Sequence, residues 1–101
     1  MEMMEKIYRK LQDQFKQGFA FGPVGRPIQS IDQTSTGEVT VVFPGLLILL
    51  EEVGGRIIVK LPGAVRSTNN DLADDLGELC DQFIAMVKAE AESVPIDEIL
   101  V

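Results

Sequence analysis

The chain has 101 residues, a hydrophobic fraction of 46% and a formal net charge of −7, which predict one folded domain over 1–101 rather than a disordered chain. It has one cysteine and no histidine, which excludes an internal disulfide and removes the commonest metal ligand and general base at neutral pH. The longest apolar run, 41–50, is too short for a membrane span, and 1–10 lacks a signal-peptide pattern, so we expect a cytoplasmic protein.

The negative charge is concentrated in the last third of the chain. Residues 67–101 hold nine acidic residues and only one basic residue, Lys88, whereas 1–17 carry a net charge of +1 and 18–66 are neutral. A surface of this kind disfavours nucleic acid and anionic membranes as partners. It permits a basic protein partner, although acidity that serves only solubility is the plainer interpretation.

The first element is predicted to be an amphipathic helix over 3–17, ended by Gly18 as a C-cap. Its apolar residues recur at helical spacing. They are Met4, Ile7, Tyr8, Leu11 and Phe15. This face is predicted to belong to the core.

A glycine- and proline-rich loop, 18–27, follows this helix. We expect Phe19 and Phe21 to anchor it to the core. A lid or an anion-binding loop beside Arg26 is the functional alternative, but the Gly-Lys-Ser/Thr of a P-loop is absent. Residues 28–33 are then predicted to form a polar edge strand.

The stretch 38–61 predicts three consecutive antiparallel strands whose register follows from two turns. Gly54-Gly55 suits a two-residue type I′ loop, because both central residues of that loop need positive φ. Pro44-Gly45 is consistent with a second two-residue loop, although a bulge or a longer arch stays open because Pro-Gly favours turns that splay a hairpin. Both hairpins then assign the apolar residues to the same face, and a one-residue slip would exchange the two faces.

Side-chain alternation divides this sheet into two faces. Face A is uniformly apolar, is predicted to lie under the helices, and carries Val39, Val41, Phe43, Leu46, Ile48, Leu50, Ile57, Val59 and Leu61. Face B is mixed and carries Glu38, Thr40, Val42, Leu47, Leu49, Glu51, Arg56, Ile58 and Lys60. In this register Glu38 faces Glu51, a repulsive pair unless Arg56 lies diagonally near.

A long second helix is predicted over roughly 69–92. Gly77 beside its apolar face costs about 1 kcal/mol relative to alanine, so we expect another backbone, from the first helix or a second subunit, to approach closely there. The tail 94–101 is predicted to dock, with Pro95 opening a short helix. The N-cap candidates are Ser67, Thr68, Asn69 and Asn70, and the inner face is Leu72, Leu76, Leu79, Cys80, Phe83, Met86 and Val87.

The predicted fold class is therefore α+β. An N-terminal helix precedes a four-stranded antiparallel meander, and a long C-terminal helix with a short apolar tail follows it. Both helices are expected on one face of the sheet.

No group of side chains in the sequence predicts catalysis, a cofactor or a metal site. Carboxylates of Asp71, Asp74, Glu78 and Asp81 line one side of the second helix. A solvated face is favoured there over a hard-cation site, and the same face is a candidate for binding a basic partner. Cys80 has no histidine to pair with and is predicted to be a core residue. We expect a protein that is not an enzyme and needs no cofactor.

Face B is the strongest indication of function, because an apolar patch framed by charges marks an interaction site. Its cover is the chain's own tail, a second copy or a different protein, and a twofold homodimer is the commonest solution. We expect an acidic homodimeric protein-binding module, of the inhibitor, immunity or chaperone-like adaptor kind. The interface residues are predicted to be Val42, Leu47, Leu49, Ile58, Ile96, Ile99 and Leu100.

Two alternatives stay open. One is a small-ligand-binding or enzymatic domain with a pocket near the 18–27 loop. The other is a structural subunit of a larger assembly. No motif is specific enough to name a family.

Overall fold

A computed structural model of the chain describes residues 2–63 and 71–101. Two helices and seven strands are present in this part of the chain. In chain order they are α1 (Glu2–Gln17), β1 (Ala20–Phe21), β2 (Arg26–Pro27), β3 (Ser30–Gln33), β4 (Val39–Phe43), β5 (Leu46–Val53), β6 (Arg56–Leu61), α2 (Asp71–Ala91) and β7 (Ile96–Leu100). The α+β class is confirmed. The candidate N-caps of the second helix, 67–70, lie outside the described residues.

The five-stranded sheet has the order β3-β4-β5-β6-β7, and its first four strands form the predicted antiparallel meander. Both turns are two residues long, since Phe43 pairs with Leu46 and Val53 pairs with Arg56. Gly54 and Gly55 both have positive φ, as a type I′ loop requires. The predicted register of β4, β5 and β6 is therefore confirmed, and with it the division into face A and face B.

The tail differs from its prediction as a short helix. Ile96–Leu100 forms strand β7, which pairs in parallel with β6 from Ile57↔Ile96 to Leu61↔Leu100. The predicted four-stranded sheet is thus five-stranded, and α2 is the crossover between its two parallel strands. The spacing of Ile96, Ile99 and Leu100 is compatible with a helix. The exposed edge of β6 offers this short segment backbone partners that an isolated helical turn lacks.

Helix α1 ends at Gln17, directly before the predicted C-cap glycine Gly18. Gly18 has φ 68°, its N–H donates to Phe15 O, and the Phe19 N–H donates to Gln14 O at 2.9 Å. These two bonds form a Schellman motif, which satisfies carbonyls at the helix end. Phe15 differs from its prediction as a core residue, because it lies in this last turn and 40% of it is exposed.

The core fills the space between face A and the two helices. All nine predicted face A residues are buried, together with Met4, Ile7 and Leu11 of α1 and most of the predicted inner face of α2. At one end of the core Phe21, Phe43 and Phe83 meet with ring centroids 5.3–6.1 Å apart. Phe21 thus anchors the 18–27 loop as predicted, while Phe19 packs edge-on against it and stays 41% exposed.

Candidate interaction site on the open sheet face

Face B lies on the side of the sheet opposite the helices. Its apolar residues are not buried within the described part of the chain: Val42, Leu49 and Ile58 are partly exposed, and Leu47 is 45% exposed. Val42 pairs with Leu47 across β4 and β5, and Leu49 lies two residues further along β5. Face B therefore presents a connected apolar stripe, as predicted from its alternation.

An ion pair crosses this stripe at its centre. Leu49 pairs with Lys60 and Glu51 pairs with Ile58, so these four residues form the corners of one square on face B. Leu49 and Ile58 occupy one diagonal. Lys60 and Glu51 occupy the other, with Nζ and Oε1 3.1 Å apart and each side chain 31% exposed. The sequence predicts that Lys60 and Glu51 lie on face B, but it does not predict that they contact each other within the stripe.

Strand β7 extends face B at one edge. Side chains alternate along a strand, so Asp97 and Ile99 lie on face B and Ile96 and Leu100 lie on face A. The three predicted tail residues therefore do not share a face: Ile96 packs against the core, and Ile99 is 42% exposed. The tail pairs with the edge of β6 and does not lie over face B. Of the three predicted covers for face B, the chain's own tail is therefore wrong.

Arg56 bonds to Asp97 of β7 and not to Glu51. Its guanidinium donates from Nε to Asp97 Oδ2 at 2.6 Å and from Nη2 to Asp97 Oδ1 at 2.8 Å. These hydrogen bonds hold the pKa of the Asp97 carboxyl below its usual value. Sequence reasoning missed Asp97, because the partner that gives it a role lies in a strand 41 residues earlier. The signal in the sequence is the proline before I-D-E-I-L, which suits the start of a strand as well as of a helix.

Arg26 holds the 18–27 loop in place through contacts with α2 and with the sheet. Its guanidinium is therefore not free to bind an anion, as the anion-binding alternative for this loop requires. Arg26 Nη2 lies 2.7 Å from Asp75 Oδ2 of α2, and Nη1 donates to Pro44 O in the β4–β5 turn. Gly22 N–H donates to the Gln82 side chain of α2 at 2.7 Å. The loop, which forms the small hairpin β1–β2, is thus bonded to α2 and to the sheet through its polar groups.

A cavity of about 360 Å³ lies beside the β3–β4 turn, whereas the 18–27 loop contacts the β4–β5 turn at the opposite end of β4. Its lining is mostly polar and includes the carboxylates of Glu38, Glu51 and Glu52 with the start of α1 at Met4. A second, smaller cavity of about 320 Å³ lies along α1 and reaches Gln33. Neither of these cavities is at the 18–27 loop, where the small-ligand alternative placed its pocket. Among the residues whose side chains the structure describes, no group of three metal-ligating side chains could hold a metal ion.

The acidic side of α2 is only partly described. Glu78 and Asp81 are exposed on it, and the side chains of Asp71 and Asp74 lie outside the described part of the structure. Cys80 is fully buried, as predicted for a core residue. Neither α1 nor α2, as far as they are described, is long and apolar enough to cross a membrane.

The chain matches no protein-family model, no curated protein and no solved structure.

Proposed function

We propose that the protein is an acidic, cytoplasmic, non-enzymatic binding module that forms a twofold homodimer through face B. The observation that carries the proposal is the apolar stripe of Val42, Leu47, Leu49 and Ile58 on a sheet face that no described element covers. Burying four aliphatic side chains contributes roughly 1.5–3 kcal/mol each relative to full exposure. A face of this kind is typical of an interface rather than of a free surface.

The charges of face B support a second copy of this chain as the occupant. Lys60 neutralises Glu51, and Arg56 neutralises Asp97, so the central part of face B carries no net charge although the chain carries −7. A face that selects a strongly basic partner would keep its carboxylates unpaired. Locally neutralised charges instead let two identical, acidic chains meet without like-charge repulsion at the contact.

The size of face B indicates a weak dimer. The five strands have four to eight residues, average about 19 Å in length and lie about 4.8 Å apart, which gives a projected area on the order of 400 Å² per copy. Standard interfaces bury about 800 Å² per partner. We therefore expect a dissociation constant on the order of micromolar, with the two sheets packed face to face at about −30°.

Sedimentation equilibrium over a wide range of protein concentrations tests this proposal. The expected result is a mass that rises from 11.1 kDa towards twice that value as concentration increases. Leu47→Lys should hold the protein at the monomer mass, because it places a charge in the stripe at a position already 45% exposed, which spares the fold. Val24→Lys is the matched control, since Val24 is 64% exposed in the β1–β2 turn, a hairpin that is bonded to α2 and is not part of face B.

The outcome of that comparison decides the proposal. A monomer mass at all concentrations would sink the homodimer. A dimer that Leu47→Lys leaves intact would instead place the interface elsewhere.

The proposal includes a second contact surface, the acidic side of α2, for a basic protein partner. Glu78 and Asp81 are the described members of that surface. Binding of this type weakens steeply with salt, because exposed charges are screened within about 8–10 Å at physiological ionic strength. A purified basic partner whose affinity is unchanged between low and high salt, or by Glu78→Lys, would contradict this part of the proposal.

A further inference from the structure

Strand β5 continues past its last pair with β4 and leaves a gap at that end of the sheet. The last pair between the two strands is Val39↔Leu50, whereas β5 runs on to Val53. The cavity of about 360 Å³ lies in this gap, with the β3–β4 turn on one side and Glu51 and Glu52 on the other. Its volume falls within the range of about 300–1,000 Å³ that is usual for small-molecule sites.

The lining of this cavity suits a ligand that donates hydrogen bonds. Its carboxylates accept only, and its hydroxyl and amide groups can accept as well. None of the described residues that line the cavity is a lysine or an arginine, and Met4 supplies an apolar wall. The polar lining residues are Gln33, Ser35, Thr36, Glu38, Glu51 and Glu52.

Two of the three carboxylates lack a cationic partner in the described part of the chain. Glu51 is paired with Lys60, but neither Glu38 nor Glu52 takes part in any of the ion pairs there. The Oε1 atom of Glu52 is buried and has no hydrogen-bond partner among the described residues. Because a buried acceptor without a donor costs free energy, this oxygen indicates a place for a donor from outside the chain.

Like charges also meet at this end of the sheet. Glu38 directly precedes Val39, so it lies beside Glu51 at the end of the β4–β5 ladder. Arg56, the residue that could relieve this repulsion, is bonded to Asp97 instead. Three carboxylates and one bonded lysine leave a local formal charge of −2, which favours a ligand with two positive charges.

The placement of the carboxylates separates an organic cation from a metal ion. Glu52 is in phase with Leu50 and lies on face A, whereas Glu38 and Glu51 lie on face B. The carboxylates therefore approach the cavity from the two sides of the sheet. They form no group that could hold a metal ion, within the part of the chain that was searched. Two positive charges joined by a short chain match this separation better than one compact ion.

From these observations we propose that the cavity beside the β3–β4 turn is a binding site for a small organic diamine. One ammonium group donates to Glu52, the other lies at Glu38 and Glu51, and the methylene groups between them pass Met4. Both contacts are charge-assisted hydrogen bonds, which are stronger than neutral ones. The site is independent of the face B dimer, because Leu47 and the rest of the apolar stripe do not line it.

Isothermal titration calorimetry of the full chain with putrescine, a four-carbon diamine, tests the site. The expected result is saturable binding of one putrescine per chain. Butylamine, the four-carbon monoamine, should bind at least about tenfold more weakly, because it lacks the second ammonium group. Mg²⁺ at the same concentration should not displace putrescine.

Glu52→Gln and Glu38→Gln remove one charge each and keep the size of the side chain. Each should weaken putrescine binding about tenfold or more. Asp13→Asn is the matched control, since Asp13 is an exposed carboxylate of α1 that does not line the cavity, and its affinity should stay within about twofold of the parent. Without ligand, neither glutamine variant should melt below the parent, because the carboxylate that it replaces has no partner to lose. A purely structural role for either glutamate would lower the melting temperature.

The remaining outcomes are also decisive. Equal affinities for putrescine and butylamine, or equal losses in all three variants, would show general attraction to an acidic chain and overturn the site. Displacement by Mg²⁺, or no saturable binding at millimolar putrescine, would overturn it as well. Leu47→Lys should leave putrescine affinity unchanged whether or not face B forms the dimer, because Leu47 lies at the opposite end of β5, so failure of either proposal is visible on its own.

Discussion

The Lys60–Glu51 pair makes the strongest quantitative prediction about face B, because it crosses the stripe that the dimer would bury. In the single chain the pair is 3.1 Å long and each side chain keeps 31% exposure. An exposed pair of this type is worth about 0–1 kcal/mol. Lys60→Met and Glu51→Met should therefore each change the free energy of unfolding of the monomer by less than about 1 kcal/mol.

The dimer should respond quite differently to the same changes. Removing one partner of a buried pair leaves an uncompensated charge, which costs about 3–5 kcal/mol, whereas replacing both partners by apolar residues is neutral or stabilising by about 1–4 kcal/mol. At the lower limit of about 3 kcal/mol per copy, the two copies in each dimer cost about 6 kcal/mol, so Lys60→Met should raise the dissociation constant on the order of 10⁴-fold. The double variant should dimerise as well as the parent or better.

Sedimentation equilibrium of the parent, the two single variants and the double variant forms a double-mutant cycle for this pair. Urea unfolding at low concentration supplies the monomer baseline. Equal weakening in the single and double variants would show that the pair is not desolvated on association. An unchanged dissociation constant in all three variants would place the dimer interface away from the centre of face B.

Three further predictions concern stability. Asp97→Asn should lower the free energy of unfolding at neutral pH. Because the hydrogen bond to Arg56 lowers the pKa of Asp97 in the folded state, its stabilising contribution is present above the ordinary pKa of 3.8 and disappears as the pH falls through the lower folded-state pKa. A loss of stability in Asp97→Asn that is equal at all pH values in urea titrations would contradict this prediction. Gly22→Ala should destabilise the protein more than the control Gly18→Ala. Both glycines have positive φ, but a Cβ at Gly22 would lie 3.2 Å from a side-chain carbon of α2, whereas a Cβ at Gly18 would meet open space. Equal urea midpoints of the two variants would show that the close contact at Gly22 relaxes at no cost. Phe21→Ala should cost about 3–5 kcal/mol, because this buried ring contacts two others in the core, and a loss below about 1 kcal/mol by circular dichroism would show that the loop does not depend on it.

Local rules were sufficient for the centre of the sheet. Positive φ at Gly54 and Gly55 and a two-residue loop at Pro44-Gly45 determine which residues of β4, β5 and β6 pair. The period of two along each strand then separates the apolar face A from the mixed face B. Helical spacing and Gly18 likewise predict α1 and its end, because a glycine at positive φ is the ordinary way to complete a helix.

Contacts between residues far apart in sequence decided the rest. The segment 96–100 is compatible with a helix or a strand, and the open edge of β6 selected the strand by offering backbone partners. Nothing in the sequence connects Asp75 of α2 with Arg26, 49 residues earlier, yet their side chains form an ion pair that bonds the 18–27 loop to α2.

The same distinction applies to the proposed interface. The sequence by itself determined that face B is apolar and charged in alternation, because register and periodicity are local properties of strands. Only the tertiary structure decided that Lys60 contacts Glu51 across the stripe, that Arg56 bonds to Asp97, and that the tail lies beside face B rather than over it. Each of these depends on which elements become neighbours in space, and a choice of that kind follows from the packing of the whole chain rather than from any segment of it.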